Sequence, residues 1–459
     1  MELYHYRSID NALKEIENGT FRYSDRTEVN DPLEGHVKVY WKGDGVAWEG
    51  LFRNYICSLW QSIEFYLLGS KYEDLEENAV MIDIHRFNSV PMGDILKTIS
   101  DCFIGNIYLR KIIKYFDAEQ ISCSAKTLRM LFRILHETAF SICICKMKEE
   151  KLIPDDFNEY VLPAEKSLKE LVNAGTDQTT DTQRKVMFES VAIMVEDMIE
   201  SLFLREDWEL GEDLSQHQKW MKVRFDFPSI YVERLQEIIY PKGYFVCFSS
   251  DKTNSAMWGN YANNHTGVCL IYKTKKVNDK DTLSVGRGMI NGKASVFHDD
   301  EIKAVKYDHQ VIQRNFFESL GRMNFAQIKS WLAPVDGKTS DLLEKYKEDD
   351  WREKYWVDFE EKYCVKLSAW EHEKEYRLLI TDLLNEYTWD NRFIKYKSEQ
   401  FVGVIFGIKI SEYDKKRVIN AIKQQGKSLK DFEFFQAEYD DERNEIVVRS
   451  KYFSDYIFE

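Results

Sequence analysis

Proline and glycine are scarce, 7 and 21 in 459 residues. A chain with so few breakers does not read as linker-rich, collagenous or low in complexity, and no internal repeat occurs. Long apolar runs are missing too. No uncharged stretch reaches the roughly 18 residues of a membrane span, and the opening MELYHYRSID lacks the basic start and apolar centre of a secretory signal. The chain is therefore expected in the cytoplasm, without a membrane partner. A surplus of positive charge is also absent. With 78 acidic against 63 basic residues, a formal charge of −15, no global field attracts nucleic acid, and any such contact has to be local. Cysteine numbers eight, but the one close pair, Cys143 and Cys145 in SICICKM, has no His or Cys at metal-ligand spacing nearby. The thiols read as reduced core residues, and no metal is expected. Walker, GxGxxG, HExxH and GxSxG patterns do not occur, and the Gly286 and Gly288 stretch is too short for a phosphate cradle.

Aromatic residues are plentiful at 14%, which suits a large packed core. ELYHYR alternates as a strand does, and SIDNALKEIENGT follows with capping candidates Ser8 and Asp10, apolar Ala12, Leu13 and Ile16, and a stop at Gly19. From about Trp48 to Glu237 the pattern turns helical, as in TLRMLFRILHETAFSICICKMKEE and RKVMFESVAIMVEDMIESLFL, with the polar NAGTDQTTDTQ between. Strand signals resume at GYFVCFSS, GVCLIYKT and EIKAVKY, then at EYRLLIT, FIKYK, FVGVIFGIKI, FEFFQAEY and EIVVRS. The expected fold class is α+β: a discontinuous mixed-sheet domain of residues 1–48 and 242–459, with a helical domain, 49–241, inserted. A smaller helical insertion, 310–362, carries the charged run KYKEDDWREKYW, which reads as a solvated helix face.

Four clusters could carry chemistry. In the first strand, Leu3, His5 and Arg7 share one face, a candidate ligand wall, although an edge histidine and a surface arginine explain them as simply. Asn30, Asp31, Pro32, Leu33 and Glu34 form a turn signal whose carboxylates could line a pocket. After the strand ending at Ser249, Asn254 or Ser255 can cap a helix on which Trp258, Tyr261, Ala262 and His265 recur at i, i+3, i+4 and i+7. That stripe reads as core or as a wall for a flat ring. Last, 370–377 runs into an apolar strand, so Glu371, Glu373, Glu375 and Arg377 are expected on one face beside Trp370. Carboxylates this close repel unless a cation compensates them. Glu375 is expected to pair with Arg377, leaving Glu373 free to meet a developing positive charge.

YHYRS, NDPLE, CFSS with MWGNYANNHTGVCL, VKY, WEHEKEYRLLI and VIFGIKI, in this order, resemble the bacterial family catalogued as domain of unknown function 2971. The resemblance covers about half the sequence and leaves out both helical blocks. A second resemblance, in the order of a strand-borne His or Arg, an aromatic-serine element and Glu-x-Glu on a late strand, is to ADP-ribosyltransferases. It implies that fold, with NAD as substrate held by His5 or Arg7, by Ser249 with Tyr261, and by Glu373 or Glu375 on the ribose. Ser249, Ser250 and Asp251 stand where that superfamily carries Ser-Thr-Ser. Three functions follow as expectations. The first is an NAD-using ADP-ribosyltransferase or NAD glycohydrolase, an anti-phage or toxin effector whose helical insert binds a protein partner or self-associates. The second is a non-catalytic ligand- or protein-binding module. The third is a nuclease-like effector using Asp31, Glu34, Glu373 and Glu375 with a divalent ion.

Overall fold

In the computed structural model, residues 1–31, 33–69, 76, 78–82, 91–155, 157, 197, 201, 216–290, 293–335, 337–383 and 387–452 are described. The chain forms two compact units, one of Met1–Val37, Pro241–Ile312 and Val357–Glu459, the other of Lys38–Tyr240 and Gln313–Trp356. The expected polar stretch 173–183 and, apart from 197 and 201, the helical pattern 184–204 lie outside the described residues.

The first unit is built on an eight-stranded mixed sheet. Its strands are β1 (Glu2–Arg7), β2 (Lys242–Ser249), β3 (Val268–Lys273), β4 (Lys303–Ala304), β5 (Glu375–Asp382), β6 (Phe401–Phe406), β7 (Glu433–Asp440) and β8 (Glu445–Lys451). They lie in the order β4-β5-β2-β1-β3-β6-β7-β8. The pair β6 and β7 is parallel and the other neighbours are antiparallel. Alternation along each strand gives the sheet two apolar faces. Leu3, Phe248, Leu270, Tyr272, Val404 and Phe406 pack on one side against Ala12, Leu13 and Ile16 of α1 (Ile9–Asn18). Tyr4, Tyr6, Cys269, Ile271 and Ile405 pack on the other against Met257 and Trp258 of α2 (Ser255–Asn260). A third helix, α3 (Glu412–Gln424), adds Val418, Ile419 and Ile422 to the α1 side. Gly19 ends α1 at φ 58, its N–H reaching the carbonyls of Glu15 and Ile16. Glycine takes this left-handed conformation without a Cβ penalty. A hairpin of Lys280–Ile290 with Lys293–Glu301 joins the unit, and no strand signal marked it in advance.

The second unit is mainly helical, with Gly45–Leu67, Pro91–Ile104, Ile107–Glu119, Ala125–Glu149, Phe227–Ile238 and Phe325–Leu332 as its larger helices. Asp44 caps the first by accepting from the N–H groups of Val46 and Ala47. Ring stacking ties the helices together, Tyr55 on Phe132 at 4.0 Å and Trp48 on Phe116 at 4.4 Å between centroids. Gly50 is required at a helix contact, since a Cβ there would stand 1.9 Å from the Trp331 carbonyl oxygen. The eight cysteines are free, but Cys102 and Cys145 are exposed, which corrects the expectation that all are core thiols. Cys143 and Cys145 are two apart on one helix and so face different ways. Among the described residues no helix is long and apolar enough to cross a membrane.

Candidate functional site

The register of the sheet decides which candidates can meet. Glu375 lies opposite Ser249 and Arg377 opposite Cys247 across β5 and β2, while Tyr4 lies opposite Ser249 across β1 and β2. Directly opposed residues share a face, so Tyr4, Ser249, Glu375 and Arg377 project to one side. His5 and Arg7 project to the other. There His5 Nδ1 lies 3.0 Å from Glu15 Oε1, Arg7 Nε donates to Glu15 Oε2 at 3.0 Å, and the Tyr272 hydroxyl donates to Glu15 at 2.7 Å. The expected wall is corrected accordingly: His5 and Arg7 hold α1 to the sheet and do not join Ser249, Tyr261 and Glu373. Burial alone would raise the Glu15 carboxyl, but the charges and hydrogen bonds of His5 and Arg7 outweigh it and hold the group at about 2. Burial, followed by the Arg7 charge, lowers His5.

On the opposite face five charged side chains converge. Ser368–Glu373 is a 3₁₀ turn and Lys374 reverses the chain at φ 45, so β5 begins only at Glu375. This corrects the single-strand reading of 371–377: Glu371 is exposed, whereas Glu373 is drawn inward beside the strand. Lys366, on the short strand Val365–Leu367, reaches Glu373 at 2.7 Å, Glu34 at 3.1 Å and Glu375 at 3.4 Å. Arg377 donates to both oxygens of Glu375, at 2.7 and 2.9 Å, and also to Glu34 and the Tyr363 carbonyl. Glu375 pairs with Arg377 as expected. Glu373 does not stand uncompensated as expected, because Lys366 faces it.

Three carboxylates therefore meet two cations, and none of the five exceeds 6% exposure. Burying an unbalanced charge is costly, and the group that can take a proton does so. Burial raises the Glu34 carboxyl despite the nearby Arg377 charge. Burial also works against Glu375, but Arg377 and then Lys366 hold that carboxyl at about 2. For Lys366 the charges of Glu375, Glu34 and Glu373 overcome burial and push the ammonium up. Burial and the Glu375 charge push the adjacent Cys247 thiol well up, which makes it a poor nucleophile.

Toward solvent the cluster has a small rim. Tyr261 donates to Glu373 Oε1 at 2.6 Å beside the exposed Asn30 side chain, and burial followed by the Glu373 bond pushes its hydroxyl up. Half-buried Trp370 places its ring centroid 4.7 Å from Lys366 Nζ. Ser249 is fully buried and donates to the Glu373 carbonyl at 2.7 Å, fixing the turn that aims the carboxylate. Asp31 Oδ1 accepts from the Leu33 N–H at 3.0 Å, which shapes the loop carrying Glu34.

Trp258 and His265 stand apart from this rim. Trp258 is fully buried, edge-on to Tyr6 at 5.1 Å, and donates to the Lys252 carbonyl at 3.0 Å. It is core. The helix that should have carried His265 ends at Asn260, and Asn263, Asn264 and His265 follow at φ 49, 53 and 70. The i, i+7 stripe is therefore corrected, since asparagines that tolerate left-handed backbone end it. Lys366 was missed; a lysine inside the apolar YCVKL was its sequence signal. Among the described residues, no group of three or more His, Cys, Asp or Glu side chains is arranged to hold a metal ion. Glu34, Glu373 and Glu375 are turned onto Lys366 instead.

Fold and site together define a mixed α/β protein with a buried, ion-paired cluster on one face of its sheet. Residues 257–378 match the model of the family described as Protein of unknown function (DUF2971), which shows the expected family over that stretch. The matched segment contains Tyr261, Lys366, Trp370, Glu373, Glu375 and Arg377. No curated protein and no solved structure matches the chain.

Proposed function

We propose that the chain is an NAD-cleaving enzyme, an ADP-ribosyltransferase-like transferase or glycohydrolase serving as a cytoplasmic anti-phage or toxin effector, with Glu373 as its charge-stabilising group. One observation carries this reading: the Glu373 carboxylate is held between the Tyr261 hydroxyl at 2.6 Å and the Lys366 ammonium at 2.7 Å, behind Asn30 and Trp370. Breaking the bond between ribose and nicotinamide sends its electron pair to the leaving base and develops positive charge on the ribose. A carboxylate fixed in advance lowers that barrier, and water or an acceptor hydroxyl then forms the new bond at the same carbon. Trp370 and Tyr261 offer ring faces to a flat base, and Asn30 a polar contact. His5 and Arg7 take no part. The second unit offers a surface for a protein partner or a second copy.

A binding module without turnover is the second reading, and the ion pairing of all five charged groups favours it. Incubating purified full-length protein with NAD and measuring released nicotinamide separates the two. Release that survives EDTA and falls about 10²-fold in Glu373→Gln supports the enzyme. Saturable NAD binding without release supports the module, and neither binding nor release rejects both.

A further inference from the structure

Away from the Glu373 cluster, a cavity of about 150 Å³ opens at the C-terminal end of α1. Gly19, Lys395, Tyr396, Ser398, Phe401 and Lys427 contribute to its lining. Lys395 donates to the Asn18 carbonyl, the last of α1, and Lys427 donates to the carbonyls of Ser398 and, at 3.0 Å, Phe401. An ammonium has three protons to donate. Two on Lys395 and one on Lys427 therefore remain for another acceptor.

Two other lysines of this unit, half-buried Lys303 and buried Lys366, find carboxylates. Lys303 lies 2.8 Å from Glu301 and 3.0 Å from Glu360, and Lys366 meets three acids. Neither Lys395 nor Lys427 forms an ion pair among the described residues, although the chain carries a charge of −15. Two half-buried cations sharing one cavity without a carboxylate repel each other, and an anion between them removes that cost. Burial lowers the Lys427 ammonium, and the Glu399 charge offsets this in part. The space admits a compact anion, since on the same measure a single water needs only about 10–15 Å³. Tyr396 and Phe401 add ring faces beside the lysines.

We propose that this cavity binds a single phosphoryl group, held by Lys395 and Lys427. The group is supplied either as free phosphate or as the phosphate ester of a small alcohol. The site is independent of the NAD-cleaving reading and would stand if that reading failed.

The test is calorimetric titration of full-length protein with inorganic phosphate and, separately, with phenyl phosphate, ionic strength being held constant with chloride. Saturable binding is expected, weakened about tenfold in Lys395→Met and in Lys427→Met, as loss of one charge-assisted hydrogen bond implies. Lys427→Arg, which keeps the charge, should retain binding. Phosphate should also raise the thermal midpoint of the wild type more than that of the double Lys→Met variant. Tighter binding of phenyl phosphate would assign the site to an ester, and equal or weaker binding to the free ion. Heat no greater than that of chloride overturns the proposal. So does undiminished binding in the Lys→Met variants, provided their near-ultraviolet circular dichroism matches the wild type.

Discussion

Two buried carboxylate clusters occupy opposite faces of the same sheet and are balanced differently. Glu15 faces His5, Arg7 and the Tyr272 hydroxyl, so one negative charge meets at least one positive charge and three hydrogen bonds. The other cluster sets Glu34, Glu373 and Glu375 against Lys366 and Arg377, with a carboxylate to spare. The first is complete in itself and fastens a helix. The second carries one more carboxylate than it has cations, next to half-buried Tyr261 and Trp370 and exposed Asn30. Buried charge by itself does not mark a site, and the proposed function rests on the added imbalance beside a partly exposed rim.

The comparison breaks most violently at Arg377. Arg377→Met strips the cation from Glu375 and Glu34 inside the fold, and chemical denaturation should show a loss of about 3–5 kcal/mol, the usual result of orphaning a buried charge. Adding Glu375→Gln should return part of it. A loss below 1 kcal/mol, on the order of an exposed pair, would mean that the cluster is open to water.

Acid titration sharpens the contrast on the Glu15 side. Its folded-state carboxyl sits at about 2 against an ordinary 4.5, a depressed value. The stability it contributes is therefore complete above pH 4.5 and lost as pH falls toward 2, amounting to roughly 3 kcal/mol. Glu375, also at about 2, loses its share in the same window. The stability gap between wild type and Glu15→Gln should thus narrow steadily from pH 4.5 to 2. A constant gap would show that the Glu15 charge is not what α1 depends on.

Tyr261→Phe gives the smallest effect. It removes the hydroxyl that orients Glu373 and should cost about 1 kcal/mol of stability, the net worth of one hydrogen bond. Turnover should fall severalfold with little change in the unfolding cooperativity. Equal turnover would place Tyr261 outside the chemistry.

Much of the strand framework was legible because its signals are local. The alternation of Leu3, Tyr4, His5 and Tyr6 marked β1, and Gly19 marked the end of α1. The pairing of Glu375 with Arg377 followed from their spacing of two on one strand. What stayed hidden depends on distant partners. The spacing of His5 and Arg7 says which residues share a face, but only the register with Ser249 says which face that is. Glu373 meets Lys366 through a turn whose reversal at Lys374 is a left-handed residue other than glycine, with no sequence mark. The 280–301 hairpin is rich in Ser, Gly and charge, and its strand character comes from pairing with itself.

The central claim is that the Glu373 face does chemistry and the Glu15 face does structure. It is tested most directly by measuring nicotinamide released per folded molecule for Glu373→Gln and Glu15→Gln side by side, with folded fraction taken from denaturation curves. The account expects Glu373→Gln to remain folded while release falls about 10²-fold, and Glu15→Gln to lose stability while each folded molecule keeps its rate. Full release by Glu373→Gln, or an equal loss of rate in both variants, would contradict it.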